Sequence, residues 1–459
     1  MVDARPTNSR RARVRRLAHW RLRRTGVAIS VALSVLLLAS TGQAPGSEDY
    51  SIWSGGTVPS VVADSDARSV VNLPRIPWEG GPAYWAQFPN AQRGGWTDPS
   101  FFPFVVWYNG VSNDAEVAWD KDHGINTYIG MDPSTDFSLF TRNGVYWIGG
   151  GLTGADPSSG NWVGNFLDDE VDGRFSAPEG RAWLKSLVDK YQGNGRFNYA
   201  NFTQSILTSD MASTDAGVYV NDFTGAVSVD MYWMTVPFCD SSPYRDAYLV
   251  PVPKGYCRTA GSYGKTVSML RQRDALDGTR QPIWNFIENL NGGPGEGPFV
   301  RDIASAEIKG SVMSSIINEA RGIVYFNQSL SGPCQGSAVL RLAQVEGSSY
   351  CGKGQAAALG EINNFVKSLA PVINTQSYQW NFGPGLTTML KAKDGSAYVF
   401  AMLDDSQPGF RTFALPPGVG EGPVSVVGEG RTLTSSGGTF TDTFPDSSSY
   451  HVYKVAVGG

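Results

Sequence analysis

The stretch FFPFVVWYNG, residues 101–110, opens with an apolar, aromatic run and breaks at Asn109-Gly110. Such a run suits the first strand of either of two α/β folds. A doubly wound sheet would follow it with a glycine-rich dinucleotide turn, and Trp107-Tyr108-Asn109-Gly110 is not one. Similar short runs, β-branched or aromatic, recur at 127–131, 145–149, 163–168, 196–202, 226–233, 282–287 and 322–326. Together with 102–108 they predict eight strands. Helical segments are expected between them at 114–122, 178–191, 264–274, 304–320 and 356–370. In the last, Ala358, Ile362, Phe365 and Leu369 recur at the spacing of one helix face.

Eight strands alternating with crossovers predict an α/β fold, a (β/α)8 TIM barrel, over residues 77–373. Residues 132–144 and 150–162 are short and rich in Gly, Pro and Ser, so the second and third helices are expected to shrink to loops. Beyond residue 374 the helical spacing stops. Runs at 397–403, 411–414, 424–427, 439–444 and 450–455 predict a small C-terminal antiparallel β-sandwich over 374–459.

Composition sets the outer limits. The chain has 459 residues, 41% hydrophobic and 17% charged, with 54 Gly and 13 Trp, as expected of a folded, loop-rich protein and not of a disordered chain or coiled coil. Nine of its 37 basic side chains and one of its 42 acidic ones lie in residues 1–24, which leaves the remainder strongly acidic. That balance argues against nucleic acid or an anionic membrane as partner. Only His19, His123 and His451 are present, little material for zinc catalysis or a His-based triad.

Residues 1–25 are Arg-rich, 26–40 apolar or small, and Gly42-Gln43-Ala44 offers small residues for a peptidase. Residues 1–44 are therefore read as a secretory signal peptide and 45–76 as a linker or N-terminal arm. After signal cleavage no membrane association is expected, and the mature protein is expected to be secreted. Cys239, Cys257, Cys334 and Cys351 lack the close spacing of metal sites; three pairings are open, and the local one, 239–257 with 334–351, is preferred in an oxidising compartment.

Barrel enzymes work at the carboxyl ends of their strands. The fourth predicted strand ends NFLDDEVDG (165–173), with Glu170 in phase with Asp168 and Phe166; the seventh ends WNFIEN (284–289), with Glu288 in phase with Trp284 and Phe286. Two carboxyls facing each other across a barrel mouth suit glycoside hydrolysis, in which one protonates the leaving oxygen and the other attacks the anomeric carbon or activates water. Aromatic and polar residues at other strand ends suit a sugar cleft: Trp107, Tyr108, Trp147, Asn198, Asn201, Asp230, Tyr232, Trp284 and Asn289. Tyr232 is a candidate hydrogen-bond partner of the nucleophile. The stretch 291–298 (NGGPGEGP) lacks the Lys-Ser/Thr of a phosphate loop and is read as a βα loop lining the cleft. No cofactor or metal is required; the expected partner is a carbohydrate substrate.

The segments PWEGGPAYW (77–85), GWTDPSFFPFVVWYNG (95–110), HGINTYIGM (123–131), NFLDDEVDGRF (165–175), VSVDMYWMT (227–235), PIWNFIENLNGGPGEGPF (282–299) and EARGIVYFNQS (319–329) resemble exported actinobacterial glycosyl hydrolases and, more broadly, the clan of retaining (β/α)8 glycoside hydrolases. The resemblance runs over residues 77–456. It implies Glu170 as acid/base and Glu288 as nucleophile. Where the clan has an Asn that holds the sugar 2-hydroxyl, this chain has Asp169. Two other readings remain: an inverting enzyme with Asp168 or Asp169 as partner, and a carbohydrate-binding barrel without catalysis.

Overall fold

The computed structural model describes residues 72–290 and 299–457. The expected signal peptide and most of the 45–76 arm lie outside the described residues, as does 291–298. Eight parallel strands close a barrel: β1 (Phe104–Trp107), β2 (Thr127–Ile129), β3 (Tyr146–Ile148), β4 (Trp162–Asp169), β5 (Phe197–Phe202), β6 (Ala226–Val229), β7 (Ile283–Glu288) and β8 (Gly322–Phe326), with β8 pairing back onto β1. The fold is thus a TIM barrel with a C-terminal β-sandwich.

Alternation along the strands sorts the side chains into two layers. Val105, Trp107, Ile129, Tyr199, Phe286 and Val324 fill the barrel, while Phe104, Val106, Tyr128, Ala200, Ile287 and Tyr325 pack outward under the helices. The helices Asp114–Asp122, Ala177–Tyr191, Ser213–Asn221, Gly261–Asp274, Ser305–Ile317 and Lys353–Ile373 form much of the outer ring. The crossover after β2 holds only the short helix Ser138–Asn143, and the one after β3 holds none, as their Gly- and Pro-rich sequence predicts.

The amino end of the barrel is plugged. A 3-10 turn, Gly81–Gln87, and the helix Pro89–Arg93 lie beneath it, and the rings of Trp85 and Trp96 stand 6.5 and 6.2 Å from that of Trp284. The Asn90 amide ties this plug to the barrel through the carbonyls of Pro157, Ser159 and Trp162. Chemistry is left to the carboxyl end.

The tail forms β9 (Ser377–Tyr378), β10 (Leu386–Lys393), β11 (Ser396–Leu403), β12 (Gly409–Ala414), β13 (Val419–Val426), β14 (Arg431–Ser435), β15 (Thr439–Phe444) and β16 (Tyr450–Val457). Six of these strands make one sheet in the order β14-β13-β16-β11-β10-β9, and β12 pairs with β15. One face of the large sheet, with Met389, Phe400, Met402 and Val452, joins the core under the barrel helices; the other, with Leu390, Val399, Val424 and Tyr453, packs on Phe413 and Phe440. Before the barrel, Arg75 bridges to Tyr378, so the chain enters through this sheet. The disulfides Cys239–Cys257 and Cys334–Cys351 pin two loops on the barrel's carboxyl side. No helix among the described residues is long and apolar enough to cross a membrane.

Candidate active site

Strand β4 slips as it reaches the barrel mouth. Phe166 pairs with Tyr199 and Asp169 with Asn201, so three steps of β4 match two of β5. Such a bulge reverses which side chains face inward. The phase expected from strict alternation, with Glu170 following Asp168 and Phe166, is therefore wrong past Phe166. Asp168 turns outward to Arg174 at 2.6 Å and to the indole N–H of Trp183 at 2.6 Å. Asp169 turns inward, where its carboxylate accepts from the Asn201 amide at 2.9 Å. Glu170 follows in the left-handed region, φ 50°, a conformation that costs a non-glycine residue free energy and recurs at functional sites.

Beside these carboxyls stands Asp230, which follows β6 and is half-buried. Asp230, Asp169 and Glu170 act on one another electrostatically, and the Asn201 amide donates to Asp169. Asn201 is held in turn: its carbonyl accepts from Ser228 at 2.8 Å, and Ser228 Oγ lies 2.6 Å from the Tyr199 hydroxyl. Burial and then the neighbouring charges of Glu170 and Asp169 push Asp230 far above the usual carboxylate range. Burial pushes Asp169 up to about 7, with the Glu170 charge adding to it. Glu170 is also raised, chiefly by burial, with its interaction with Asp230 opposing. Asp172 sits behind the cluster and is raised to about 7 by burial, while the Thr203 backbone N–H and hydroxyl bond its carboxylate at 2.9 and 2.7 Å.

Glu288, at the end of β7, is completely enclosed. The Tyr263 hydroxyl donates to one carboxylate oxygen and Thr235 to the other at 3.3 Å. The Met234 N–H steadies the Tyr263 oxygen at 3.1 Å. Burial raises Glu288 to about 7 against these hydrogen bonds. The sequence suggested Tyr232 as the partner of this carboxylate; the structure assigns that place to Tyr263, on the helix after β6. A tyrosine in a crossover helix carries no periodic signal that would have found it.

Tyr232 instead lies among all the carboxyls. Its phenol is buried, and Asp230, Asp169, Glu170 and Glu288 all act on it electrostatically, after desolvation, to raise its ionisation. The ends of β4, β6 and β7 thus lie within electrostatic reach of one ring.

Other sequence candidates divide sharply. Tyr108, at the end of β1, is 41% exposed and close enough to Asp169 and Asp168 for both to raise its pKa, behind the effect of burial. Asn289 is buried beside Glu288, and neither polar atom of its amide has a partner among the described residues. Trp107 fills the barrel between Phe166 and Phe286. Three candidates lie elsewhere. Trp147 points outward from β3 onto Phe140, with its indole N–H on the Gly150 carbonyl. Asn198 lies near the amino end of β5 and accepts from Asn165. Trp284 belongs to the plug at the barrel floor. Each has a strand address that resembles a site residue, but its face or its height along the strand removes it from the mouth.

No known family matches the chain, and no curated protein matches it in sequence. Solved structures are similar at low identity. A family 51 α-L-arabinofuranosidase, AbfB from Bifidobacterium longum, is similar with a TM-score of 0.42 at 10% identity, over 78% of this chain and 96% of that one. A single-residue variant of AmyP in complex with maltotriose gives 0.40 at 10%, over 81% and 99%. A GH30 endoxylanase from Clostridium papyrosolvens gives 0.34 at 11%, over 78% and 97%. At these values no residue role is carried across.

Proposed function

We propose that this chain is a secreted glycoside hydrolase that works by a two-carboxylate retaining mechanism, with Glu170 as acid/base and Glu288 as nucleophile. The observation that carries the reading is that Glu170, Asp230 and Glu288 stand at the carboxyl ends of β4, β6 and β7 of one closed barrel. Raised carboxyls in a barrel mouth are what proton transfer near neutral pH requires. Glu170, raised chiefly by burial, donates to the glycosidic oxygen as the bond breaks. Glu288, oriented by Tyr263 and Thr235, attacks the anomeric carbon to form a glycosyl-enzyme. Glu170, now ionised, then takes a proton from the water that releases the sugar. Asp169 occupies the place from which a sugar hydroxyl next to the cleaved bond can donate to a carboxylate. Disulfides Cys239–Cys257 and Cys334–Cys351 support an oxidising, extracellular setting.

Purified protein screened on plant, fungal and bacterial glycans tests the reading. Glu170→Gln and Glu288→Gln should each lower kcat by at least about 10²-fold while leaving the thermal midpoint within a few degrees. A folded Glu288→Gln protein that turns over at the wild-type rate removes the nucleophile.

The electrostatic coupling of Glu170 to Asp230 favours a second reading, in which the β4 and β6 carboxyls perform the chemistry and Glu288 only supports the wall. An active Glu288→Gln protein and an inactive Asp230→Asn protein would select it.

A further inference from the structure

Large aromatic side chains left in water are uncommon away from binding surfaces, so where they gather is informative. Among the described residues, four aromatic side chains are markedly exposed: Tyr108, Phe175, Trp183 and Phe410. The first three gather around Asp168: Trp183 bonds it, Phe175 lies under the Arg174 that pairs with it, and Tyr108 is near it and Asp169. Trp183, 44% exposed on the helix Ala177–Tyr191, is fixed in orientation by its N–H···Oδ2 bond to Asp168. The other oxygen of Asp168 holds Arg174, and that guanidinium lies over the Phe175 ring, 5.4 Å from its centroid. Tyr108 rests on Gly130 from the other side; a Cβ on Gly130 would stand 2.9 Å from three atoms of the ring.

The charges of Asp168 and Arg174 are thus spent on holding rings in place. Fixed aromatic faces open to water, beside the partly exposed carboxyls Asp168 and Asp169, match the alternating apolar C–H faces and hydroxyl edges of a sugar chain. Immobilised rings also lose little entropy when a ligand stacks on them.

We propose that Tyr108, Phe175 and Trp183 form an aromatic rim that binds sugar rings beyond the cleaved bond, so that the ligand of this site is a polysaccharide rather than a disaccharide or a small glycoside. The inference rests on the glycoside hydrolase reading and adds the substrate class.

The test uses the protein carrying Glu170→Gln, so that ligand is bound without turnover, in native gels containing xylan, arabinan, soluble starch or mixed-linkage β-glucan. At least one polymer should retard it. Adding Trp183→Ala should weaken that retention roughly tenfold, and Phe175→Ala should weaken it in the same direction. Trp183→Phe, which keeps a ring and loses the bond to Asp168, should retain most of the binding. Retention unchanged by both alanine variants overturns the rim and leaves the hydrolase reading intact. So does a wild-type enzyme that cuts only small glycosides and binds no polymer. Absence of both binding and turnover across the whole glycan panel overturns the two together.

Discussion

At Asp230, burial and two neighbouring carboxyls hold a proton far past the pH at which an exposed aspartate releases it. Asp230 is therefore uncharged where Glu170 titrates, and its interaction with Glu170 lowers the Glu170 pKa against the effect of burial. Asp230→Ala removes that interaction. Glu170 should then keep its proton to higher pH, and the alkaline limb of the kcat/KM profile should move to higher pH; a limb that stays put separates Asp230 from the acid. The carboxyls themselves were legible as residue types at strand ends. Their partners were not. Asn201 reaches Asp169 from β5, and Tyr263 reaches Glu288 from a helix, contacts that only chain packing creates.

Among the elements, the eight barrel strands were readable because buried parallel strands are short apolar runs bounded by turn residues. The helix Asp114–Asp122 and the strands β8 and β15 have the predicted limits. Strand β10 escaped notice because Lys391 and Lys393 interrupt its apolar pattern; Lys391 is in fact fully buried, near Glu319. Strand β14, RTLTS, is a polar edge strand. The β4 bulge has no compositional mark at all. Close packing at the barrel floor gives a test of strand geometry. A Cβ on Gly322 of β8 would stand 2.7 Å from the Trp284 ring and 2.9 Å from Pro103. Gly322→Ala should therefore cost about 1–3 kcal/mol, read as a lower midpoint in thermal unfolding. An unchanged midpoint would mean that Trp284 is free to move.

Across the whole molecule, the buried carboxyls tie stability to pH. Burial, the largest cause in each case, raises Asp169, Asp172 and Glu288 to about 7, so the folded state keeps protons that the unfolded chain releases near pH 4. Stability from these groups is complete below the ordinary carboxylate range and is lost as pH rises toward 7. Glu319 works the other way. Burial pushes it up, but Lys391, Arg321 and Arg271 bring it down to about 2, so its contribution is lost as pH falls toward that value. Its bond to Arg321, which also holds Glu79, clasps the entry to β8 beneath β10. The thermal midpoint should peak at about pH 4 and decline on both sides, and Glu288→Gln should lose less between pH 5 and 8 than the wild type. A midpoint that rises steadily from pH 5 to 8 would contradict the burial of the cluster.

The amino-acid order by itself determined that eight apolar runs alternate with crossovers, that a β-rich tail follows, and that acidic residues stand at the ends of the fourth and seventh runs. Those features live in local composition and periodicity. The tertiary structure alone decided that Asp169 and not Asp168 faces inward, that Asp230 joins Glu170, and that Trp147, Asn198 and Trp284 are kept from the mouth. The reason is geometric: a one-residue bulge or a helix crossing a strand changes which atoms meet without changing the pattern of residues along the chain.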